Sequence, residues 1–277
     1  MIHSDWHIHS EYSYDATNPL ELIAQNATEQ GLKYIGITDH VNFNDKKFLT
    51  DLHNSIDGVK KAQEKFPFII LGVELTPIEK PQFDYLKNND TSDGYVPPKT
   101  SKPYDLELAV SKEELKSLGV RYAIGASHWR LQCANAKRMP EDLEVSIKEW
   151  YRQQIWLAND ERVTILGHPW WHGGGIWYED FSIIPRSMNL DIASLLKENG
   201  KYVECNSKMF KNKFATEKFK HQYAEFLREF YEIGIKVTYG SDSHHDYDDS
   251  HLEVEKYLKY AGFKDGDISH IDEKDLW

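Results

Sequence analysis

Residues 2–9, IHSDWHIH, have the pattern of a short β-strand with two histidines at its carboxyl end. Because side chains alternate between the two faces of a strand, His7 and His9 share one face. Trp6 and Ile8 then point to the opposite face, into a packed layer. Two imidazoles about 7 Å apart on one face can meet at a single divalent cation. Surface histidines on an edge strand would show the same spacing, so the interpretation depends on whether the pattern recurs.

The rest of the chain repeats one pattern, in which a short predicted strand precedes a longer amphipathic helix. After the first strand, further strands are predicted at residues 33–38, 68–73, 121–126, 163–167, 202–205 and 236–239. Strands that alternate with helices form a parallel sheet, and seven such units suit a closed or nearly closed barrel. An open doubly wound sheet is the alternative.

No flexible linker interrupts this alternation of strands and helices, so we predict a single domain over residues 1–277. The segment at about 81–104 is rich in Pro, Asn, Asp, Ser and Lys, and we predict an irregular insert there. Asn18 and Pro19 are predicted to open the first helix, because asparagine caps helices and proline suits their first position. The second helix is predicted over residues 51–65.

The composition is typical of a globular chain, with 40% hydrophobic and 28% charged residues. No run approaches 18 apolar residues and no apolar signal core follows the N-terminus, so we expect no membrane span and a cytoplasmic location. Cys133 and Cys205 are too few for a disulfide framework, which favours a reducing compartment. The net charge of −12 argues against nucleic acid as a partner, because its phosphate backbone binds to basic surfaces.

Nearly every predicted strand ends in a histidine or a carboxylate. These residues are His7, His9, His40, Glu74, His128, His168, Asp242 and His244. In a parallel barrel, the carboxyl ends of all strands face one mouth, so these side chains are expected to converge. Imidazole and carboxylate ligands without thiolate suit zinc, manganese or iron, and the set is too large for one ion. The sequence therefore predicts two or three divalent metal ions that share a bridging carboxylate and activate a water molecule.

The order of these motifs resembles the polymerase and histidinol phosphatase (PHP) superfamily. The resemblance rests on His-x-His at 7–9, Thr-Asp-His at 38–40, Gly-Val-Glu at 72–74, single histidines at 128 and 168, and Gly-Ser-Asp-Ser-His at 240–244. It implies an α/β fold, a distorted (β/α)7 TIM-like barrel in a single domain, with a trinuclear metal centre. For a member of this length, it also implies phosphoesterase activity.

The resemblance implies three sets of metal ligands, with Glu74 as the bridge between the first two sets. They are His7, His9 and Asp242 for the first metal, His128 and His168 for the second, and Asp15, His40 and His244 for the third. Many relatives have histidine where this chain has Asp15. A carboxylate is a harder ligand, and it favours manganese or iron over zinc at that site. The alternative for Asp15 is a turn residue within residues 14–16.

The mechanistic hypothesis is that a metal-bridging hydroxide attacks phosphorus in line while the metals neutralise the other oxygens. Arg130 follows His128 closely, and its planar guanidinium is a candidate to bind the phosphate; a surface salt bridge is the alternative. Arg186 is a second candidate for the phosphate. Asp39, beside His40, is a candidate catalytic residue that orients a ligand or accepts a proton.

Tryptophans flank the proposed ligands and are candidates to bind the organic part of a substrate. Trp129 and Trp170, together with Trp171, could wall a pocket, with the glycines at 173–175 as a hinge. The alternative is that they only cap the barrel mouth. Cys205 lies at the same mouth, but it lacks an activating partner in the sequence, so we predict a buried residue rather than a nucleophile.

The predicted function is metal-dependent hydrolysis of a phosphate monoester of a small metabolite, such as histidinol phosphate of histidine biosynthesis. An amidohydrolase-type metal hydrolase is one alternative, because that class also has His-x-His and a late aspartate. A metal-binding module without catalysis is another. A nuclease fits the acidic composition poorly. The sequence makes no prediction of the oligomeric state.

Overall fold

The parallel strands of the chain form a nearly closed barrel. The structure is a computed structural model that describes residues 1–98, 102–129, 131 and 142–277. The barrel strands are β1 Ser4–Ile8, β2 Tyr34–Ile37, β3 Ile69–Leu75, β4 Tyr122–Gly125, β5 Ile165–Leu166, β6 Tyr202–Asn206 and β7 Val237–Gly240. Each strand pairs in parallel with the next along the chain, and a bridge between Ile8 and Ser243 brings the last beside the first. The predicted seven-stranded α/β barrel is confirmed, and the open sheet is excluded.

Helices surround this barrel. They are α1 Leu20–Glu29, α2 Lys46–Gln63, α3 Lys80–Leu86, α4 Lys112–Leu118, α5 Leu143–Asn159, α6 Arg186–Glu198, α7 Ser207–Lys211, α8 Glu217–Glu232 and α9 His251–Tyr260. The longer ones bury one apolar face against the strands, as amphipathic helices do. In the described part of the chain, no helix combines the length and the apolar character needed to cross a membrane.

Large side chains fill the amino end of the barrel interior. Trp6, Tyr122 and Tyr202 form an apolar cluster there with residues of the neighbouring strands. Tyr122 fits because Gly36 faces its ring, where an added Cβ would lie 1.7 Å from the Tyr122 hydroxyl. The hydroxyl donates a hydrogen bond to the Trp6 carbonyl at 2.7 Å. Because aromatic rings fill the amino end of the barrel interior, the polar side chains lie at the carboxyl end of the strands.

Several predicted element boundaries are wrong by a few residues. Helix α2 begins at Lys46, five positions before the predicted start, because the carboxylate of Asp45 caps it by accepting the Phe48 N–H. The first helix begins at Leu20 with Pro19 at the capping position, while Asn18 donates to the hydroxyl of Ser243. The apolar periodicity located the helices, but it could not show which polar residue caps each one.

The segment predicted as an irregular insert follows β3. Residues 78–79 pair antiparallel with residues 106–107, so the two ends of this excursion lie side by side. Helix α3 occupies its beginning and buries Leu86. Residues 99–101 lie outside the described residues.

Candidate metal centre

Glu74 lies at the centre of the carboxyl end of the barrel. It is near the end of β3, its side chain is fully buried, and its Oε2 faces three imidazoles. This oxygen lies 3.2 Å from His7 Nε2, 3.3 Å from His9 Nε2 and 2.9 Å from His40 Nδ1. The sequence analysis placed Glu74 after a strand ending at Val73; the strand runs on to Leu75, and its alternation turns Glu74 inward.

The second oxygen of Glu74 faces two further histidines. Its Oε1 lies 3.2 Å from His128 Nε2 and 3.0 Å from His168 Nε2. His128 follows β4 and His168 follows β5, so imidazoles from neighbouring strands meet at this oxygen. The two oxygens of one carboxylate therefore serve two different groups of histidines, which is the arrangement that a bridging ligand requires.

Four buried polar atoms of this cluster make no hydrogen bond among the described residues: Glu74 Oε2 and the Nδ1 atoms of His9, His40 and His168. Glu74 Oε2 and His40 Nδ1 lie 2.9 Å apart, but not in the geometry of a hydrogen bond. Buried polar atoms are nearly always paired, so an unpaired carboxylate oxygen beside imidazole nitrogens needs an explanation. A divalent cation among these donors would satisfy them, and imidazole with carboxylate suits zinc, manganese or iron. The residues present thus fit the metal ions that the sequence analysis expected.

Asp242 approaches the first group of histidines from the opposite side. Its Oδ1 lies 3.3 Å from His9 Nε2 and 3.8 Å from His7 Nε2. The residue has a φ of 54°, in the left-handed region that non-glycine residues rarely adopt, and its N–H donates to the His7 carbonyl at 2.7 Å. Such strain persists where surrounding contacts hold it, and it is common at functional sites.

Asp15 faces two histidines at the cavity side of the cluster. Its Oδ2 lies 3.5 Å from His40 Nε2 and 3.4 Å from His244 Nε2. Burial opposes ionisation, yet hydrogen bonds from His244 and His40 hold the pKa of this carboxyl well below its ordinary value. The geometry brings Asp15 to the place where the third set of ligands was predicted.

Ligand atoms meet in three compact groups within the described residues. Each group offers atoms within 4.8 Å of one another, and the groups are His7, His9 and Asp242; His40, Glu74 and His128; and His9, His40 and His244. His9 and His40 each belong to two groups. The groups therefore overlap more than the three separate sets predicted from the sequence.

Burial and neighbouring charges shift the pKa values of the clustered histidines in opposite directions. Burial disfavours the charged form of His7, but Glu204, Glu74 and other carboxylates outweigh it and raise its pKa well above the ordinary value. Burial lowers the pKa of His9 to about 3 and that of His128 to about 4. The pKa of Glu74 lies well below its ordinary value, because surrounding imidazoles outweigh its burial. The ionised form of Glu74 is therefore favoured. Burial opposes the charged form of His40 as well, but Glu74 and Asp15 outweigh it and raise its pKa to about 9, so a metal ion bound here would compete with protons at His7 and His40.

An open cavity of about 770 Å³ lies over this cluster. Trp129 and Trp171 line it on the side of His128 and His168, while Lys208 and Lys211 line the other side. The volume falls in the range of small-molecule sites.

Comparison with known proteins identifies the family. The family model of the PHP domain matches residues 5–208, which include most of the proposed ligands. The chain belongs to the PHP family. Membership of the PHP family confirms the predicted class, a metal-dependent hydrolase of the phosphoesterase type. No curated protein sequence matches the chain.

The chain shares its barrel fold with a solved structure. Histidinol phosphate phosphatase HisK from Lactococcus lactis, crystallised with zinc, L-histidinol and phosphate, superposes with a TM-score of 0.63 at 18% identity, over 94% of each chain. A structure described with YwqE from Bacillus subtilis and CpsB from Streptococcus pneumoniae, metal-dependent tyrosine phosphatases, covers 95% of this chain and 88% of its own. Its identity is 16% and its TM-score 0.46.

Two predicted site residues of this PHP chain, Asp39 and Arg186, lie away from the cavity. The carboxylate of Asp39 points away from the cavity, where it accepts hydrogen bonds from the hydroxyls of Ser10 and Ser55 and anchors the loop after β1. Arg186 is exposed at the start of α6 and pairs with Glu229. Neither residue lines the cavity. Arg130 lies outside the described residues.

Trp170 is also not where the sequence analysis placed it. It has a φ of 64°, which turns its side chain into the core, and its indole N–H donates to Asn189 at 2.9 Å. Its neighbour Trp171 does line the cavity, with its ring centroid 5.6 Å from that of His168. Of the two neighbours, only Trp170 is turned into the core by a left-handed backbone, which the sequence could not show.

The two tryptophans are expected to differ sharply when replaced by alanine. Trp170→Ala should lower the free energy of unfolding by about 3–5 kcal/mol, because it removes a fully buried side chain. Trp171→Ala should leave stability nearly unchanged and raise KM. Urea unfolding and steady-state kinetics measure both effects. A Trp170→Ala variant as stable as the wild type would contradict its assignment to the core.

Sequence analysis missed three polar residues that contact the ligands. Thr76 lies 2.8 Å from His128 Nδ1, and the Lys208 ammonium donates to Asp242 at 2.8 Å. Glu204, buried in β6, accepts from His7 Nδ1 at 2.7 Å. A signal for Glu204 was present, since a carboxylate within the apolar run of β6 faces the barrel interior. The prediction that Cys205 is a buried, unreactive residue agrees with its burial, which raises the thiol pKa well above its ordinary value.

Proposed function

We propose that this PHP protein hydrolyses phosphate monoesters of a small molecule with the help of two or three divalent metal ions. The observation that carries the proposal is Glu74, whose two oxygens face different groups of histidines at one end of the barrel. Metal ions held there would activate a water molecule and neutralise the charge on the phosphate oxygens. No residue of the chain then has to act as the nucleophile.

The ligand assignments are those that the PHP resemblance implies, and the contacts bring the members of each set together. We assign Glu74 as the shared ligand between the groups that contain His7, His9 and Asp242 on one side and His128 and His168 on the other. We assign Asp15, His40 and His244 to a third ion. Zinc, manganese and iron all suit these donors, and the carboxylate of Asp15 favours manganese or iron at its site.

Lys208 is the described residue best placed to bind the phosphate. It lies in the first turn of α7, two residues after Asn206, and it lines the cavity. Its ammonium lies 2.8 Å from Asp242 Oδ1 and 3.1 Å from His244 Nδ1. A cation at this point can bind a phosphate oxygen and withdraw negative charge from it. Trp129 and Trp171, across the cavity, can contact the organic part of the ester. Arg130 stays a candidate from the sequence.

Replacing Lys208 with alanine should lower kcat/KM about 10–100-fold, because a hydrogen bond to a charged group contributes about 1.5–3 kcal/mol. The metal content should stay at the wild-type level. Lys211→Ala is the matched comparison: Lys211 also lines the cavity, but it pairs with Asp248 and should have a smaller effect. Equal kinetics for the Lys208 variant and the wild type would remove Lys208 from the site.

The proposed substrate is a small phosphorylated metabolite. The cavity volume suits one small molecule, and the net charge of −12 disfavours a polynucleotide. Histidinol phosphate is one candidate, since HisK, which shares the fold, was crystallised with L-histidinol and phosphate.

The test is a panel of phosphate monoesters assayed with the protein loaded with zinc, manganese or iron. The panel should include histidinol phosphate, an aryl phosphate, and amide and lactone substrates. Turnover of phosphate esters alone is expected. Turnover of amides or lactones alone would instead indicate an amidohydrolase-type reaction, and no turnover by the metal-loaded protein would favour a catalytically silent metal-binding module.

A further inference from the structure

Glu204 connects ligands that belong to different groups. It lies in β6, is 1% exposed, and turns both carboxylate oxygens toward the metal centre. Its Oε1 accepts a hydrogen bond from His7 Nδ1 at 2.7 Å. Its Oε2 accepts the backbone N–H of His168 at 2.5 Å and the side-chain N–H of Asn206 at 3.1 Å. Asn206 also donates to Asp242 at 3.2 Å, so one carboxylate reaches three proposed ligands.

The contact with His7 determines which of its nitrogens can bind a metal. Because a carboxylate is only an acceptor, His7 Nδ1 carries the proton that it donates. His7 Nε2 is then the nitrogen left to bind a metal ion, and it faces Glu74 Oε2 at 3.2 Å. Hydrogen bonds of this kind fix the tautomer and orientation of a ligating imidazole and increase its basicity.

The contact with His168 holds a strained backbone. His168 has a φ of 22°, which is uncommon for a residue with a side chain, and it is buried. The hydrogen bond from its N–H to Glu204 stabilises the turn that directs the imidazole toward Glu74 Oε1, 3.0 Å away. Glu204 thus positions one ligand by its side chain and another by its backbone.

The neighbouring strand leaves room for this arrangement. Gly240, in β7, faces Glu204, and an added Cβ would lie 1.9 Å from Glu204 Oε1 and 2.6 Å from the His7 Cβ. Any larger residue at position 240 would therefore displace the carboxylate or the imidazole. Glycine at position 240 thus leaves the space that the hydrogen bond between His7 and Glu204 needs.

We propose that Glu204 is a positioning residue that couples the metal-ligand groups on the two sides of Glu74, so that both depend on one buried carboxylate. The inference rests on the proposed metal centre. It predicts that loss of Glu204 weakens metal binding on both sides together, rather than at one site alone.

The variant Glu204→Gln tests this coupling with almost no change of shape. A glutamine amide has one acceptor oxygen, so in either orientation its NH2 group meets an N–H donor. If the NH2 faces His7, that imidazole must move its proton to Nε2, which blocks the nitrogen that faces Glu74. If the NH2 faces His168, the strained turn loses its acceptor. Each orientation disturbs one group directly, and because both groups share Glu74, metal binding in the other group should weaken as well.

The measurement is competition between protein and a chelator for zinc, followed by the zinc content per chain. Glu204→Gln should lose its zinc at about 10–100-fold lower chelator concentration than the wild type, as for other residues that orient metal ligands. All bound zinc should be affected. Glu255→Gln is the matched control, because Glu255 is a buried carboxylate that pairs at the amino end of β1. It should bind zinc like the wild type.

A second variant and a second readout guard against a purely structural effect. Gly240→Ala should weaken zinc binding in the same way, because it displaces the same carboxylate. If Glu204 served only the fold, the metal-free Glu204→Gln protein would melt at a lower temperature while zinc affinity stayed at the wild-type level. That result would overturn the coupling, as would loss of zinc from one group alone. A wild-type protein that binds no zinc, manganese or iron would instead overturn the proposed metal centre itself.

Discussion

Glu74→Gln should remove almost all activity. Metal ions supply several kcal/mol of transition-state stabilisation, and about 1.4 kcal/mol corresponds to tenfold in rate, so kcat should fall by at least about 10³-fold. The physical reason is that both oxygens of Glu74 face imidazoles, where we propose that metal ions bind. A glutamine amide has no negative charge, and only one of its two polar atoms is an acceptor, so it cannot bind a metal ion on each side. The measurement is kcat on the best ester of the panel, together with metal content by elemental analysis.

The control for Glu74→Gln is again Glu255→Gln, which makes the same chemical change at a distant buried carboxylate. Its metal content and kcat should match the wild type. If Glu74→Gln kept the full metal content, the assignment of Glu74 as a bridging ligand would be wrong, whatever happened to the rate. Loss of metal with retained folding, checked by circular dichroism, is the expected outcome.

Removal of metal should strongly destabilise the protein. A ligand present at about a thousand times its Kd contributes about 4 kcal/mol, and for a chain of this size each kcal/mol corresponds to about 2–4 °C. We therefore expect the melting temperature to fall by about 8–16 °C when a chelator removes the metal. The cause is that a metal ion bound among the buried carboxylates and imidazoles stabilises the folded state by its binding free energy. Differential scanning calorimetry of metal-loaded and metal-free protein measures this shift.

The variant His9→Ala separates the metal from other effects of the chelator. His9 is fully buried and contacts both Glu74 and Asp242, so its loss should prevent metal binding there. Metal addition should then raise the melting temperature of His9→Ala by much less than it raises that of the wild type. An equal rise in both proteins would mean that the stabilising metal binds elsewhere.

The strand-end residues were predictable from the sequence because topology alone brings them together. In a parallel barrel, a residue at the carboxyl end of a strand reaches the same mouth whatever its position in the chain. Glu74 and His168 are 94 positions apart and still approach to 3.0 Å. The chemistry of their side chains then restricts the function, since imidazole and carboxylate together indicate a metal site.

Other features depended on local backbone geometry, which a sequence pattern does not encode. Trp170 is buried in the core while Trp171 lines the cavity, because Trp170 has a left-handed backbone. Asp39 follows β2 as predicted, yet the serines at positions 10 and 55 hold its carboxylate away from the cavity. The role of Glu204 could not be predicted without knowing which face of β6 points to the barrel interior. The predicted end of that strand was also one residue short.

The most direct test of the metal centre is anomalous diffraction from crystals of the protein loaded with zinc or manganese. The account predicts two or three anomalous peaks at the carboxyl end of the barrel. Each should lie about 2.0–2.3 Å from imidazole or carboxylate ligand atoms, and two of them should share Glu74. The absence of any peak within coordinating distance of Glu74 would contradict the account.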